Sequence, residues 1–433
     1  NSLAMYVGQK NNTSSKNTVE EALLTSIKKT KFKEVKTFLI ERLQYCASNA
    51  SIKNLNSNLY GNDFYKPTLA VLTNIRTNEA AQAILAALKE SKDQKQVAYI
   101  AALGELKYKP AVATLEVLSN SKSVETRRNV LKSLANIADS NSYQTLYNAA
   151  KKVNFQAENT EAVLSFIRFG MQQNDVQINE KIIKTLLKNC TSDSQLHFRV
   201  SGLQLLSKTN EKTLTKRLLK EFKHKNNTYR GAVLEIASKN LTSENLLKWS
   251  KSFKRTSLEG KVQLLSMVQK RSETSIVSSF IDPAIKSKHE SVRVSGIKAL
   301  AYQPKKTAFP LLFDGLLKAR SSSEFLAIKG SLLRLTSSSD IAMISNNLSK
   351  TDDAGKVVLI NVLAAKRATS EFELIHSLLN SKNEHVKNAV YSALPAISVT
   401  SHLSQLMSLL NTTHSPQHIS HIQRAITIVL DQS

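Results

Sequence analysis

At 433 residues, 41% hydrophobic and 22% charged, the chain is long enough for more than one core and too apolar to be disordered. Its 60 Lys and Arg against 34 Asp and Glu leave a formal charge of +26, which favours anionic partners, and no run of about 18 apolar residues is present to span a bilayer. Eleven glycines and seven prolines are too few for the many tight turns of an all-β fold, so an all-α chain is predicted.

The chain begins Asn1-Ser2-Leu3 and continues through the polar stretch GQKNNTSSKN, so residues 1–18 are expected to be extended or disordered. That start suits a chain trimmed of a targeting segment, and the expectation is a periplasmic or secreted location. Residues 19–134 carry the first copies of a nonamer. FYKPTLAVL ends at Leu72, KQVAYIAAL at Leu103 and TRRNVLKSL at Leu134, with a weaker copy near Leu43.

Residues 135–197 break the period, with a weak copy near Ile167. An insertion is expected there as an extended loop near Gln172 to Gln177. From 198 to 433 the nonamer returns: FRVSGLQLL to Leu206, YRGAVLEIA to Ala237, GKVQLLSMV to Val268 and VRVSGIKAL to Leu300. EFLAIKGSL to Leu332, GKVVLINVL to Leu363 and VKNAVYSAL to Leu394 follow, and a weak copy lies near Ala425.

The spacing of 31 or 32 residues, with apolar or small residues mostly at the third, sixth and ninth positions, predicts one core-facing helix per nonamer. A second apolar helix follows each, as in TAFPLLFDGLL. The predicted architecture is a single continuous α-α superhelix of about 12–13 helical hairpins, because one hairpin cannot bury its own inner face. The nonamers, above all Val292-Arg293 with Ala299-Leu300, resemble the HEAT repeat, an armadillo-type α-solenoid unit, in a short bacterial-type form. The resemblance covers the chain from about residue 20 onward. It implies a right-handed superhelix and an interaction surface; more loosely, it implies an accessory region of a larger secreted protein.

The second position of the nonamer is basic in seven of ten strong units: Arg127, Arg199, Arg230, Lys261, Arg293, Lys356 and Lys387. Equivalent positions form a row, so these side chains either bond neighbouring carbonyls and carboxylates at the seams, as the resemblance suggests, or make a charged stripe. Residues 212–271 hold 15 basic and 4 acidic residues. Lys216, Arg217, Lys220 and Lys223 recur at helical spacing, as do Lys248, Lys251, Lys254 and Arg255, with Trp249, Phe253 and Tyr229 among them. Basic residues beside aromatics are the pattern of a nucleic-acid site, although Trp249 and Phe253, four apart, also suit a core stripe.

Cys46 and Cys190 lie outside any CxxC pair and are expected to be core residues, while His414, His418 and His421 have no Cys, Asp or Glu nearby to complete a metal site. No nucleotide cradle, nucleophile elbow or HExxH is present. The expectation is therefore a monomeric, noncatalytic scaffold without cofactor or metal that binds a protein or an extended acidic ligand. The alternative is a nucleic-acid-binding solenoid using residues 212–271, of which some HEAT-like DNA glycosylases would be the enzymatic form.

Overall fold

The computed structural model describes residues 2–9, 13–271 and 273–431. The chain divides into two units, residues 1–214 and 215–433. In each, one helix per period belongs to a row. The first unit contributes α1 (Lys33–Leu43), α2 (Tyr65–Ile75), α3 (Asp93–Glu105), α4 (Val124–Ile137), α5 (Ala162–Gln172) and α6 (Leu196–Thr209). The second contributes α7 (Asn227–Lys239), α8 (Leu258–Val268), α9 (Glu290–Leu300), α10 (Ser322–Leu335), α11 (Asp353–Ala365), α12 (Glu384–Ile397) and α13 (Pro416–Leu430). Every strong nonamer lies on a row helix and the three weak copies fall on α1, α5 and α13. Within each unit each row helix packs directly on the next. A second helix or helical turn links consecutive members, so each unit is a stack of helical hairpins, and no strand occurs among the described residues.

Local sequence starts these helices at a fixed place. In five of the ten strong units a side chain three residues before the nonamer accepts the backbone N–H of its first residue: Ser123 from Thr126 at 3.2 Å, Asn226 from Tyr229 at 2.9 Å, Ser257 from Gly260 at 3.2 Å, Ser321 from Glu324 at 3.3 Å and Asp352 from Gly355 at 2.8 Å. Each cap satisfies an N–H that the helix cannot, a contribution of about 1 kcal/mol.

The buried stripe differs from the expected one. The fifth and ninth positions are buried in all ten strong units, as are most first, sixth and eighth positions, whereas the third is never buried. First, fifth and ninth are four apart and share a helix face. Third, seventh and eleventh also share a face, on the open side. Valine at the third position in five of these units reads as core in sequence but lies half-exposed.

Two further expectations change. Residues 1–18 are not extended: helices Ser2–Gln9 and Thr13–Lys29 occupy most of them, and Ala4 and Val7 are buried. Residues 10–12 of the polar stretch lie outside the described residues. The insertion is also not at Gln172 to Gln177, where only a short turn separates α5 from helix Val176–Asn189. It is the link of residues 153–161, where Asn154, Phe155 and Glu161 adopt positive φ. That link is pinned. Phe155 is buried, Gln195 donates to the Asn154 and Phe155 carbonyls at 2.9 and 3.1 Å, and Glu158 accepts from the Thr160 hydroxyl at 2.5 Å and the Thr160 N–H at 2.7 Å.

Candidate functional site

The arginines of the nonamer's second position are tied into the seams. Arg127, Arg230 and Arg293 each use Nη1 to donate to the carbonyls six and five residues earlier: Ser121 and Lys122 at 2.7 and 3.0 Å, His224 and Lys225 at 2.9 Å each, Ser287 and Lys288 at 2.8 Å each. Arg199 reaches the Leu187 carbonyl across its longer link. Arg230 Nε also donates to Gln263 of the next row helix at 3.0 Å, and Arg293 Nε to Glu324 at 2.5 Å. Lys356 pairs with Asp353 at 3.0 Å and Lys387 with Glu384, while Lys261 lies half-buried. The four arginines close links and offer little charge to solvent, whereas Lys356 and Lys387 pair within their own helices.

Glycine completes that joint. A Cβ on Gly296 would meet Ala284 Cβ at 2.9 Å and Ile285 at 3.1 Å, and one on Gly202 would meet Leu186 at 3.2 Å. The Arg-Val-Ser-Gly shared by α6 and α9 therefore fastens the row helix to the helix before it, by arginine to the link and by glycine to the helix surface.

In residues 212–271 the two predicted basic clusters sit on or just after the linking helices, whereas Arg230, Lys239 and Lys261 are on the row. Lys216, Arg217 and Lys220 lie on helix Glu211–Glu221 with Lys223 just beyond, and Lys248 and Lys251 on helix Ser243–Phe253 with Lys254 and Arg255 following. All are exposed except Arg217, which is half-buried against Glu221 at 2.8 Å; Lys248 is paired with Glu244 at 2.7 Å. The aromatics are core. Trp249 meets Phe222 edge-on at 5.5 Å, Phe253 meets Phe280 at 5.6 Å, and the buried Tyr229 donates to Glu221 at 2.7 Å. None of the three is presented for base stacking.

The titratable groups give no catalytic poise. Burial pushes the Cys46 and Cys190 thiols up to about 11, with Glu20 adding to the effect at Cys46. Hydrogen bonds from Lys239 and Lys248 lower the exposed Glu235 and Glu244, so neither is a raised-pKa acid. His418 stacks on Tyr391 at 3.9 Å and bonds Asn388 at 2.6 Å, while Ser392 lies 3.5 Å from His421. No group of metal-ligating residues is found among the described residues.

One further surface is not evident from the sequence, because its third positions are apolar and read as core. On the open face of α8–α11 the third positions are Val262, Val294, Leu326 and Val357, all accessible, with Leu326 61% exposed. Phe325, Leu326 and Val357 line a groove of about 440 Å³ between α10 and α11. The eleventh positions of α8–α10 are Lys270, Tyr302 and Arg334, with Arg334 4.1 Å and Lys270 5.9 Å from the Tyr302 ring centre. From third to eleventh position these four helices contain no Asp or Glu. Applying the period to exposed positions, as was done for core positions, would have found both lanes.

No family model matches the chain, and no curated protein matches it. Among solved structures it is similar to a chain of a homology model of the full-length AP-3 complex in an intermediate open conformation, with 14% identity, TM-score 0.40, and coverage of 98% of this chain and 90% of that one. It is similar also to a chain of the structure in which Kap95p binds RanGDP, at 11% identity and TM-score 0.35, and to one from karyopherin Kap121p bound to the extreme C-terminus of Cdc14p, at 11% and 0.36. It covers 62% and 50% of those two chains, and they cover 99% and 98% of it.

Proposed function

We propose that the chain is a noncatalytic scaffold that binds a protein partner along the open face of the row helices in the unit of residues 215–433. The observation that carries this reading is the face of α8–α11. From the third to the eleventh position it combines accessible aliphatic side chains with basic ones and holds no carboxylate; Asp353, which lines the groove between α10 and α11, is paired with Lys356 at 3.0 Å. Aliphatic groups exposed in a continuous lane favour a protein surface over a phosphate backbone.

The test is site-specific photocrosslinking in the source cells, with p-benzoylphenylalanine at position 298 on the open face and, separately, at position 251 on a linking helix. Discrete protein adducts from 298 and few from 251 are the expected result. Absence of adducts at 298 overturns the reading. The exposed Lys216, Lys220, Lys223, Lys251, Lys254 and Arg255 favour the second reading, nucleic-acid binding by the linking helices. That reading requires affinity for DNA that falls steeply with salt, measured by anisotropy of labelled single and double strands.

A further inference from the structure

We infer that the open face of α8–α11 takes an acidic amphipathic helix, laid along the row, with its aliphatic edge on one lane and its carboxylates on the other. This deepens the scaffold reading and rests on it. The aliphatic lane is Val262, Val294, Leu326 and Val357, and the basic lane is Lys270 and Arg334 around Tyr302. Eight residues separate the lanes, about 12 Å at about 1.5 Å per residue on α10, where Leu326 and Arg334 both lie within the helix, close to the width of an α-helix with its side chains.

Between the lanes lie the seventh positions. Two of them are small, Ser266 and Gly330, and a Cβ on Gly330 would find nothing within 4 Å. The middle of the face is therefore a trough. Lys298, the seventh position of α9, is exposed within it and adds a further charge. Neighbouring row helices lie about 8–10 Å apart, and a ligand helix advances about 10.5 Å per seven residues, so an aliphatic residue at every seventh position meets successive members of the lane. Asp353, the carboxylate that lines the groove beside Leu326 and Val357, is paired with Lys356, and an acidic flank on the other lane faces Lys270, Lys298 and Arg334.

The probe is a fluorescein-labelled 21-residue helical peptide with leucine at every seventh position and glutamates along one flank, followed by anisotropy with the whole chain. Comparison probes are the same composition scrambled, the same helix with lysine for glutamate, and a 20-nucleotide single-stranded DNA. The acidic helix should bind saturably and the other two peptides at least about tenfold more weakly, the scale of one buried aliphatic anchor. Leu326→Ser and Arg334→Glu, both at exposed positions, should each weaken it about tenfold. Gly330→Phe should block the trough, while Gly330→Ala should leave binding near its starting value, and cooperative melting curves show that the variants fold.

Equal binding of the scrambled peptide, or indifference to Leu326→Ser and Gly330→Phe, overturns the inference. If the DNA binds instead, and Arg334→Glu abolishes it, the face belongs to nucleic acid. If crosslinks from position 298 are found while the acidic helix does not bind, the scaffold reading stands and this inference falls.

Discussion

At the level of single residues, one nominal substitution should have opposite signs at two glycines of the second unit. Gly296 is pressed against Ala284 and Ile285, so Gly296→Ala forces an overlap and should destabilise by about 1–3 kcal/mol. Gly330 faces open space, so Gly330→Ala should only remove helix-disfavouring backbone freedom and stabilise by about 0.5–1 kcal/mol. Denaturant melts of the two variants check both. Glu324 is a third case. Its carboxylate, 3% exposed, accepts from Arg293 at 2.5 Å and from the Arg320 N–H at 2.6 Å. Arg293→Ala should cost about 3–5 kcal/mol, because it strands that buried charge, and Arg293→Ala with Glu324→Met should recover a large part of the loss.

At the level of helices, two contacts between neighbouring periods respond to pH in different windows. Lys305 pairs with Asp340 at 2.5 Å across the seam. Burial alone would raise the Asp340 carboxyl, but bonds from Lys305 and Ser337 outweigh it and hold the pKa at about 2, below its ordinary 3.8. The folded pKa is depressed, so this stabilisation is complete above about pH 4 and disappears as pH falls toward 2. Asp340→Asn should flatten that part of an acid-denaturation curve. For His418, burial lowers the imidazole pKa below its ordinary 6.5, with His421 and Lys387 acting in the same direction and Glu384 against. Protonation therefore opposes the packing of α13 on α12, and stability present above 6.5 is lost as pH falls. Protection factors in α13, corrected for the intrinsic slowing of exchange with falling pH, should drop below about pH 6.5, and His418→Gln should remove that drop.

How far this was legible depends on what each position touches. Leu300 and Leu394, at 1% and 0% exposure, were readable as core because each copy buries the same ninth position. The third position was misread because valine is apolar whether it faces a core or a partner, and only the fifth position, often Val, Leu or Ile, showed which arc was buried. Asn226, Ser257, Ser321 and Asp352 were plain as short polar residues at fixed spacing, yet their common role as caps needs the helix start to be known. The link of residues 153–161 has no apolar period to betray its length, and its order comes from Gln195, some 40 residues further along the chain. The basic residues of 212–271 were legible as charge; their place on linking helices, with Trp249 turned inward, was not.

At the scale of the whole chain, order is local: row helices pack on their immediate neighbours within each unit, and the stack has no single core. Unfolding should therefore be graded. Leu300→Asp should expose α8, α9 and α10 to rapid amide exchange together while α2–α4 keep their protection, and Leu394→Asp should loosen α12 and α13 while sparing α8. Uniform loss of protection along all 433 residues in either variant would refute the stacked-hairpin energetics. A charge placed on an exposed linking helix, as in Lys220→Asp, should leave the melting curve unmoved.

Ser133 donates to the Ile100 carbonyl at 2.8 Å and Ser331 to that of Ile297 at 2.9 Å, each from the eighth position of one nonamer to the sixth of the preceding one. Aliphatic contacts fill space without fixing how far one helix has slid past the next; a hydroxyl aimed at one carbonyl does fix it. These two seams, one in each unit, are latched in this way, and neighbours that carry alanine, leucine or valine at the eighth position lack that latch. Under tension the latched seams should yield last, so that stiffness along the chain is written by a scattering of serines.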